Sequence, residues 1–140
     1  MIRKFKVDDI DQIMKIWLDS NIDAHSFVAQ AYWISNLSSV SAQILKADIY
    51  VYERDHKIVG FAGMQDQYLA GIFVQKEARS DGIGQILLAH IKSLCNTFSL
   101  SVYKDNKRAV NFYLREGLRI TSEELDEDTN NVAYSMVWQT

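Results

Sequence analysis

Apolar and polar residues alternate along this chain with two periods, one typical of helices and one typical of strands. Apolar residues three and four positions apart predict four helices, near residues 8–20, 33–44, 83–94 and 106–116. Alternating, β-branched or aromatic stretches predict seven strands, at residues 2–7, 48–53, 57–65, 68–75, 98–103, 118–124 and 132–138. The second to fourth strands form an antiparallel meander, and the last two helices connect parallel strands. The order βααβββαβαββ predicts a mixed α/β fold.

A polar turn with two glycines lies where the third predicted helix begins. The preceding strand ends near Val74, and the turn carries Arg79, Gly82 and Gly84. Glycines at the start of a helix let a ligand approach the backbone closely, and the free N–H groups of the first helical turn attract an anion. The turn therefore predicts a site for a phosphate-bearing ligand.

Two common phosphate-binding motifs do not fit this turn. A Walker loop ends in Gly-Lys-Ser or Gly-Lys-Thr, whereas Gln85 and Ile86 follow Gly84. A Rossmann fingerprint needs a third small residue at the position that Leu87 occupies. The spacing Arg-x-x-Gly-x-Gly therefore indicates a different class of phosphate ligand.

Composition narrows the possible partners. The 140 residues suit one domain, residues 1–140, and 15 basic against 18 acidic side chains leave a net charge of −3. That balance provides no broad basic field for nucleic acid or an anionic membrane, and no stretch approaches the ~20 apolar residues of a membrane span. The single Cys95 cannot form an internal disulfide, and charged residues occupy the N-terminus where a signal peptide needs an apolar run. We expect a cytoplasmic protein, monomeric or homodimeric.

Two motifs resemble those of the GNAT superfamily of N-acetyltransferases. The turn resembles the acyl-CoA pyrophosphate loop of that family, Gln/Arg-x-x-Gly-x-Gly/Ala after a strand. Residues 106–118 resemble its Asn-x-x-Ala-x-x-Phe-Tyr-x-x-x-Gly-Phe motif, although Leu118 replaces the last Phe. The matching residues of the second motif are Asn106, Ala109, Phe112, Tyr113 and Gly117. The resemblance covers essentially the whole chain and is strongest to small bacterial single-domain proteins of the protein N-acetyltransferase type.

The resemblance implies a fold and a cofactor. The fold is a mixed, mostly antiparallel sheet of about seven strands with four helices, in which the fourth and fifth strands splay apart. The cofactor is acetyl-CoA, with no metal, and its pantetheine arm would bond to the main chain of Phe73 and Val74. The residues that would bind the remainder are Arg79, Ser80, Asp81, Gly82, Ile83, Gly84, Gln85, Asn106, Arg108, Ala109 and Phe112. Asp81 stands where the family usually has Gly or a basic residue, so we expect its side chain to point to solvent.

The resemblance also assigns the proton donor for the leaving thiolate to Tyr113, although an aromatic residue at helical spacing is more often part of a core. A thiol has a reference pKa of about 8.5 and a tyrosine about 10, so full proton transfer would be uphill by roughly 2 kcal/mol. A hydrogen bond to the thiolate is therefore the alternative contribution. A lysine-type amine must first lose a proton, which costs about 4.6 kcal/mol at neutral pH.

Two residues are candidates for the base or water holder that helps this deprotonation. Asp66 lies at the start of the fourth strand, where it is alternatively a turn cap, and His25 lies between the first two helices, where it is alternatively structural. Candidates for the wall of the acceptor pocket are Phe27, Tyr32 and Tyr68. The acidic run 123–128 is interpreted as a solvated loop or as a surface that attracts a cationic acceptor.

The leading functional hypothesis is an acetyl-CoA-dependent N-acetyltransferase that acts by direct attack of a primary amine in a ternary complex. The acceptor is a protein lysine, a protein N-terminus or a small amine. The alternative is a non-catalytic acyl-CoA-binding or interaction domain with the same fold. The presence of Tyr113 favours the enzyme.

Overall fold

A computed structural model describes residues 1–140 and contains one sheet of seven strands. The strands are β1 (Ile2–Lys4), β2 (Asp48–Arg54), β3 (Lys57–Gln65), β4 (Tyr68–Val74), β5 (Thr97–Tyr103), β6 (Arg119–Asp126) and β7 (Asn131–Gln139). Their order across the sheet is β1-β2-β3-β4-β5-β7-β6. Neighbours are antiparallel except for β4 and β5, which are parallel. The predicted mixed, mostly antiparallel α/β class is confirmed.

Helices cover both faces of this sheet. The α-helices are α1 (Ile10–Ala24), α2 (Gln30–Ser35), α3 (Leu37–Ile44), α4 (Ile83–Leu94) and α5 (Lys107–Arg115), with 3₁₀ turns at Val7–Asp9 and Lys76–Asp81. Seven consecutive residues of the central strand β3 are buried, as expected for a strand covered on both sides. One apolar cluster packs α4 against the sheet, and a second packs α1, α2 and α3 against it. None of the helices has the length and apolarity needed to cross a bilayer.

The strands β4 and β5 pair at one position only, Tyr68 with Ser99. Immediately beyond that pair, the register between β3 and β4 shifts and leaves Ala70 without a partner. Such a bulge bends the strand that contains it. From Ala70 onward the edge of β4 that faces β5 makes no ladder, so the two strands splay apart as the resemblance implied.

The predicted second helix is wrong as a single element, because the chain divides it into α2 and α3 at Asn36. The side-chain amide of Asn36 donates to the carbonyl of Tyr32 at 2.7 Å, while its main-chain N–H donates to Trp33 instead. An asparagine that competes in this way for a main-chain carbonyl interrupts the regular helical bonding. The fold therefore has five α-helices where the sequence predicts four.

Three predicted boundaries also differ from the structure. The first strand ends at Lys4, and the first helix continues through Asn21 to Ala24. The buried side chain of Asn21 donates to the carbonyl of Trp17 at 2.9 Å within that helix. The acidic run 123–128 is only partly a loop, since β6 extends to Asp126. These differences matter because Ala24 and Asp126 each line a cavity at the splayed strands.

Candidate active site

Two adjoining cavities open where β4 and β5 separate. The outer cavity has a volume of about 740 Å³. It lies between the two-glycine turn at residues 79–85, here called the glycine loop, the end of α1 and the start of α5. The inner cavity has a volume of about 310 Å³ and lies between β4 and β5. Both cavities are lined by Asn21, His25, Ile72, Phe73, Asn106, Ala109 and Tyr113. The shared walls make one site with an outer and an inner part.

The glycine loop presents bare backbone to the outer cavity. Gly82 has φ +76 and precedes α4, and no side chain caps that end of the helix. The N–H groups of the first turn of a helix have no intrahelical partner and attract anions. A Cβ atom on Gly84 would make only ordinary contacts, the nearest at 3.7 Å from the Phe112 ring, so packing does not require glycine there. Its missing side chain instead leaves room for a ligand.

Four basic and three acidic residues line the outer cavity beside this loop. The outer cavity is lined by the basic residues Arg79, Lys107, Arg108 and Arg115. The guanidinium of Arg79 bonds to the Asp23 carboxylate at 2.5 Å and to the carbonyl of Val74 at 3.3 Å. The bond from Arg79 holds the pKa of Asp23 below its usual value. Arg79 therefore joins the C-terminal turn of α1 to the glycine loop.

Two residues of the predicted loop do not line either cavity. Ile83 is 1% exposed and belongs to the core, so only its main chain is available to a ligand. Asp81 is about half exposed and accepts a bond from Arg54 at 2.7 Å. This ion pair explains how an acidic residue is accommodated beside a site suited to anions. The predicted residues Ser80, Gly82, Gly84, Gln85, Arg108, Ala109 and Phe112 do line the outer cavity.

Replacing Gly82 by alanine should destabilise the protein. A residue with a Cβ atom pays about 1–2 kcal/mol in the left-handed conformation that Gly82 adopts. At this chain length, that cost lowers the melting temperature by roughly 3–8 °C in a calorimetric scan. The control is Gly84→Ala, which adds the same methyl group at a helical φ and should raise the melting temperature by about 1–4 °C, because alanine restricts the unfolded chain without strain in the helix. Equal melting temperatures for the two variants would contradict the assigned backbone conformation.

Tyr113 lies at the junction of the two cavities. It is 7% exposed, lines both cavities, and its hydroxyl makes no hydrogen bond to the protein. Burial raises the pKa of the hydroxyl, and the nearby Tyr68 adds to that effect. The helix that carries Tyr113, α5, is capped by Asn106, whose side-chain oxygen accepts a bond from the N–H of Ala109 at 3.3 Å. The hydroxyl is therefore protonated at neutral pH and free to donate.

His25 contacts the same capping residue. Its Nε2 lies 3.1 Å from Nδ2 of Asn106. Because the Asn106 oxygen is already bonded to Ala109, the Asn106 amide donates and His25 Nε2 accepts, which places the imidazole proton on Nδ1. Burial lowers the pKa of His25. The neutral imidazole therefore already uses its lone pair to hold Asn106.

The other predicted base and pocket residues lie outside both cavities. Asp66 is exposed in the two-residue turn between β3 and β4, with φ +55. Tyr68 follows that turn, and Tyr32 packs edge-on against Trp33 at 5.0 Å between ring centroids. Phe27 packs edge-on against His25 at 5.6 Å and so supports the wall from behind. Tyr113, His25 and the glycine loop therefore lie together at the cavities where β4 and β5 separate, whereas Asp66 lies outside them.

Sequence reasoning missed a hydrogen-bonded pair at the inner cavity. The hydroxyl of Tyr103 donates to Oδ2 of Asp126 at 2.6 Å, and both residues line that cavity. Burial, followed by the bond to Asp126, raises the pKa of Tyr103. The sequence separates the two residues by a helix and a strand. Only the register in which Tyr103 pairs with Ala133, and Ala133 with Glu124, brings them together.

The chain belongs to the GNAT family of acetyltransferases, since residues 23–138 match the model of the acetyltransferase (GNAT) domain. It is accordingly an acyltransferase. No three His, Cys, Asp or Glu side chains are grouped so that they could hold a metal ion.

Two curated proteins of Escherichia coli K12 are similar to this chain over most of its length. The peptidyl-lysine N-acetyltransferase YiaC is 31% identical over 140 residues, which covers 99% of this chain and 96% of YiaC. The peptidyl-lysine N-acetyltransferase YjaB is 26% identical over 129 residues, covering 91% and 87%. The solution structure of apo YjaB superposes with a TM-score of 0.86 at 22% identity, covering 99% of this chain and 96% of that one. A GCN5-related N-acetyltransferase from Rhodopseudomonas palustris has the same TM-score at 12% identity, covering 100% and 95%. These similarities confirm the GNAT fold.

Proposed function

We propose that this protein transfers an acetyl group from acetyl-CoA to the side-chain amine of a protein lysine, by direct attack of the amine in a ternary complex. The observation that carries the proposal is the position of Tyr113, which lines both the cavity of the glycine loop and the cavity between the splayed strands. The lysine acceptor is supported by the relatives in Escherichia coli, which are named peptidyl-lysine N-acetyltransferases.

The residues of the outer cavity fit acetyl-CoA, which supplies an acyl group activated as a thioester. The N–H groups at the start of α4 and the guanidinium of Arg79 would hold its diphosphate. The main chain of Phe73 and Val74 lies on the edge of β4 that β5 leaves unpaired, where an extended ligand can add its own hydrogen bonds. Asn106 and Arg108 line the same cavity beside α5 and would contact the remaining polar groups of the ligand.

The main chain and one side chain provide the chemistry. An N–H group of Phe73 or Val74 would donate to the acyl oxygen as negative charge develops there. The Tyr113 hydroxyl would donate to the sulfur that leaves. Because the raised pKa of Tyr113 makes full proton transfer less favourable than the reference values indicate, its contribution is a hydrogen bond to the thiolate. Neither of the predicted bases, Asp66 and His25, provides an open basic atom at the inner cavity, and the amine would lose its proton to water.

Release of free thiol from acetyl-CoA tests this function. The full chain is incubated with acetyl-CoA and three acceptors in parallel: a lysine peptide with a blocked N-terminus, a lysine-free peptide with a free N-terminus, and a small diamine. We expect acceptor-dependent thiol release with the lysine peptide and a mass increase of one acetyl group on its lysine. Thiol release that is equal with and without acceptors would reject the proposal.

Calorimetric titration with CoA distinguishes the rival interpretation, a binding domain without activity. Saturable CoA binding together with no transfer to any acceptor would favour that rival. The absence of CoA binding would reject both interpretations at once.

Neither of the predicted bases should govern the pH dependence of the reaction. We expect His25→Ala and Asp66→Asn to keep the wild-type shape of the single-turnover rate against pH. His25→Ala should weaken CoA binding roughly fivefold, because a lost neutral hydrogen bond to Asn106 is worth about 1 kcal/mol. Asp66→Asn, at an exposed turn, is the matched control and should bind CoA as the wild type does. The disappearance of the acidic limb in one variant would identify that residue as the base.

A further inference from the structure

The inner cavity contains one carboxylate, that of Asp126. The other titratable side chains in its wall are His25, Tyr103 and Tyr113. Burial lowers the pKa of the imidazole, which favours its neutral form, and raises the pKa of both hydroxyls, which are neutral at pH 7 already by their reference value of about 10. Asp126 is therefore the one acidic residue among those that line this cavity.

Three donors fix the orientation of this carboxylate. Oδ2 accepts from the Tyr103 hydroxyl at 2.6 Å and from Oγ1 of Thr129 at 3.0 Å, and Oδ1 accepts from the N–H of Asp128 at 3.2 Å. A carboxylate oxygen has two lone pairs, so Oδ1 keeps an open acceptor position. The geometry is that of a prepared binding group rather than a mobile surface side chain.

No cationic side chain neutralises Asp126. The acidic partners in the six ion pairs of the structure are Asp9, Glu53, Asp19, Asp81, Asp23 and Glu123. The neighbours Glu127 and Asp128 are exposed and carry the same sign of charge as Asp126. A half-buried carboxylate that is held by hydrogen bonds and faces a cavity without a counter-charge favours a cationic ligand.

The remaining wall suits an alkyl chain that ends in a cation. Trp17, Trp33 and Tyr103 bring aromatic rings to the cavity, and these rings can pack against methylene groups or face an ammonium group. Two residues of the wall, Trp33 and His25, each have a buried ring nitrogen without a protein partner, the indole Nε1 and the imidazole Nδ1. Buried polar groups without partners point to a polar ligand or ordered water at the site. The cavity is therefore not a purely apolar gap.

We infer that Asp126, held by Tyr103, is the positioning residue that binds the ammonium group of the acceptor as it enters the inner cavity. The inference rests on the proposed transfer to a primary amine and names the group that selects a cationic acceptor for it. The carboxylate binds the charged form, and the amine moves on to the thioester after it loses its proton to water. Asp126 takes no part in the transfer itself.

Binding of matched peptides tests this role without relying on turnover. The probes are a blocked peptide with a single lysine and the same peptide with norleucine, which lacks the ammonium group, each titrated into the CoA-saturated full chain. We expect the lysine peptide to bind Asp126→Asn at least tenfold more weakly than the wild type, as for loss of a charge-assisted bond. The norleucine peptide should bind both proteins equally. Glu127→Gln makes the same change of charge at the adjacent exposed residue and is the control, expected within twofold of the wild type.

Two further variants keep the result interpretable. Tyr103→Phe retains the ring but removes the shortest of the three hydrogen bonds that hold Asp126, so it should weaken lysine-peptide binding several-fold. Asp126→Glu should recover part of the affinity that Asp126→Asn loses. In steady-state assays, Asp126→Asn should raise KM for the lysine peptide at least tenfold and change kcat by less than threefold.

The inference is overturned if the wild type does not prefer the lysine peptide, or if Asp126→Asn behaves like Glu127→Gln. Should Asp126→Asn fail to fold, unchanged lysine-peptide binding by Tyr103→Phe overturns it equally. Failure of the proposed function looks different, because the lysine peptide would then bind with the expected differences between variants but release no thiol.

Discussion

Tyr113→Phe should lower kcat for acetyl transfer at least tenfold while leaving the Kd for CoA unchanged. The substitution removes only the hydroxyl, which makes no bond to the protein, so the ring continues to fill its place between the two cavities. A tenfold loss corresponds to about 1.4 kcal/mol of transition-state stabilisation, within the range of one hydrogen bond to a charged atom. Pre-steady-state thiol release measures the effect directly.

The pH dependence provides an independent check on Tyr113. Because its pKa in the folded protein is raised above the reference value of about 10, the hydroxyl stays protonated up to that pH. The rate of acetyl transfer should therefore show no decline below pH ~10 that is due to ionisation of Tyr113. The same shift favours the folded state below pH ~10, and this stabilisation is lost as the pH rises further. Tyr113→Phe should therefore resist alkaline unfolding better than the wild type.

Unchanged turnover in Tyr113→Phe would show that the Tyr113 hydroxyl takes no part in acetyl transfer.

Leu88→Ala should have the largest effect on stability. Leu88 is 0% exposed and lies in the helix that begins at the glycine loop. Truncation of a fully buried leucine costs about 2–5 kcal/mol, which should lower the midpoint of urea denaturation without changing its slope. Leu94→Ala is the same substitution in the same helix at a residue that is 53% exposed, and it should cost less than ~1 kcal/mol. Similar midpoints for the two variants would contradict the orientation of α4.

Most of the fold was predictable because its strands are connected locally. The meander from β2 to β4 follows from alternating residues and short turns, and the observed bounds differ from the predicted ones by at most one residue. The glycine loop was predictable for a different reason, since few residues tolerate the positive φ of Gly82. Asn36 shows where this reasoning fails. Its apolar neighbours keep a helical period while its own side chain breaks the helix.

The inner half of the site was not predictable because long-range pairing creates it. Asp126 belongs to an acidic run that the sequence cannot distinguish from a solvated loop, and the register of β7 alone places it beside Tyr103. His25 illustrates the converse. The sequence indicates a possible base, whereas the fold assigns its lone pair to Asn106. Hydrogen-bond partners determined by tertiary structure leave no periodic signal in the sequence.

Only one residue pair, Tyr68 with Ser99, joins the two halves of the sheet. It divides seven strands into a four-stranded half and a three-stranded half that share one main-chain link and the crossover through α4. Most sheets leave unpaired edges at their rims, where other chains can add to them. Here two such edges, those of β4 and β5, face each other inside one molecule. Their unpaired main-chain N–H and C=O groups are therefore available to hydrogen-bond to a ligand that lies between the two strands.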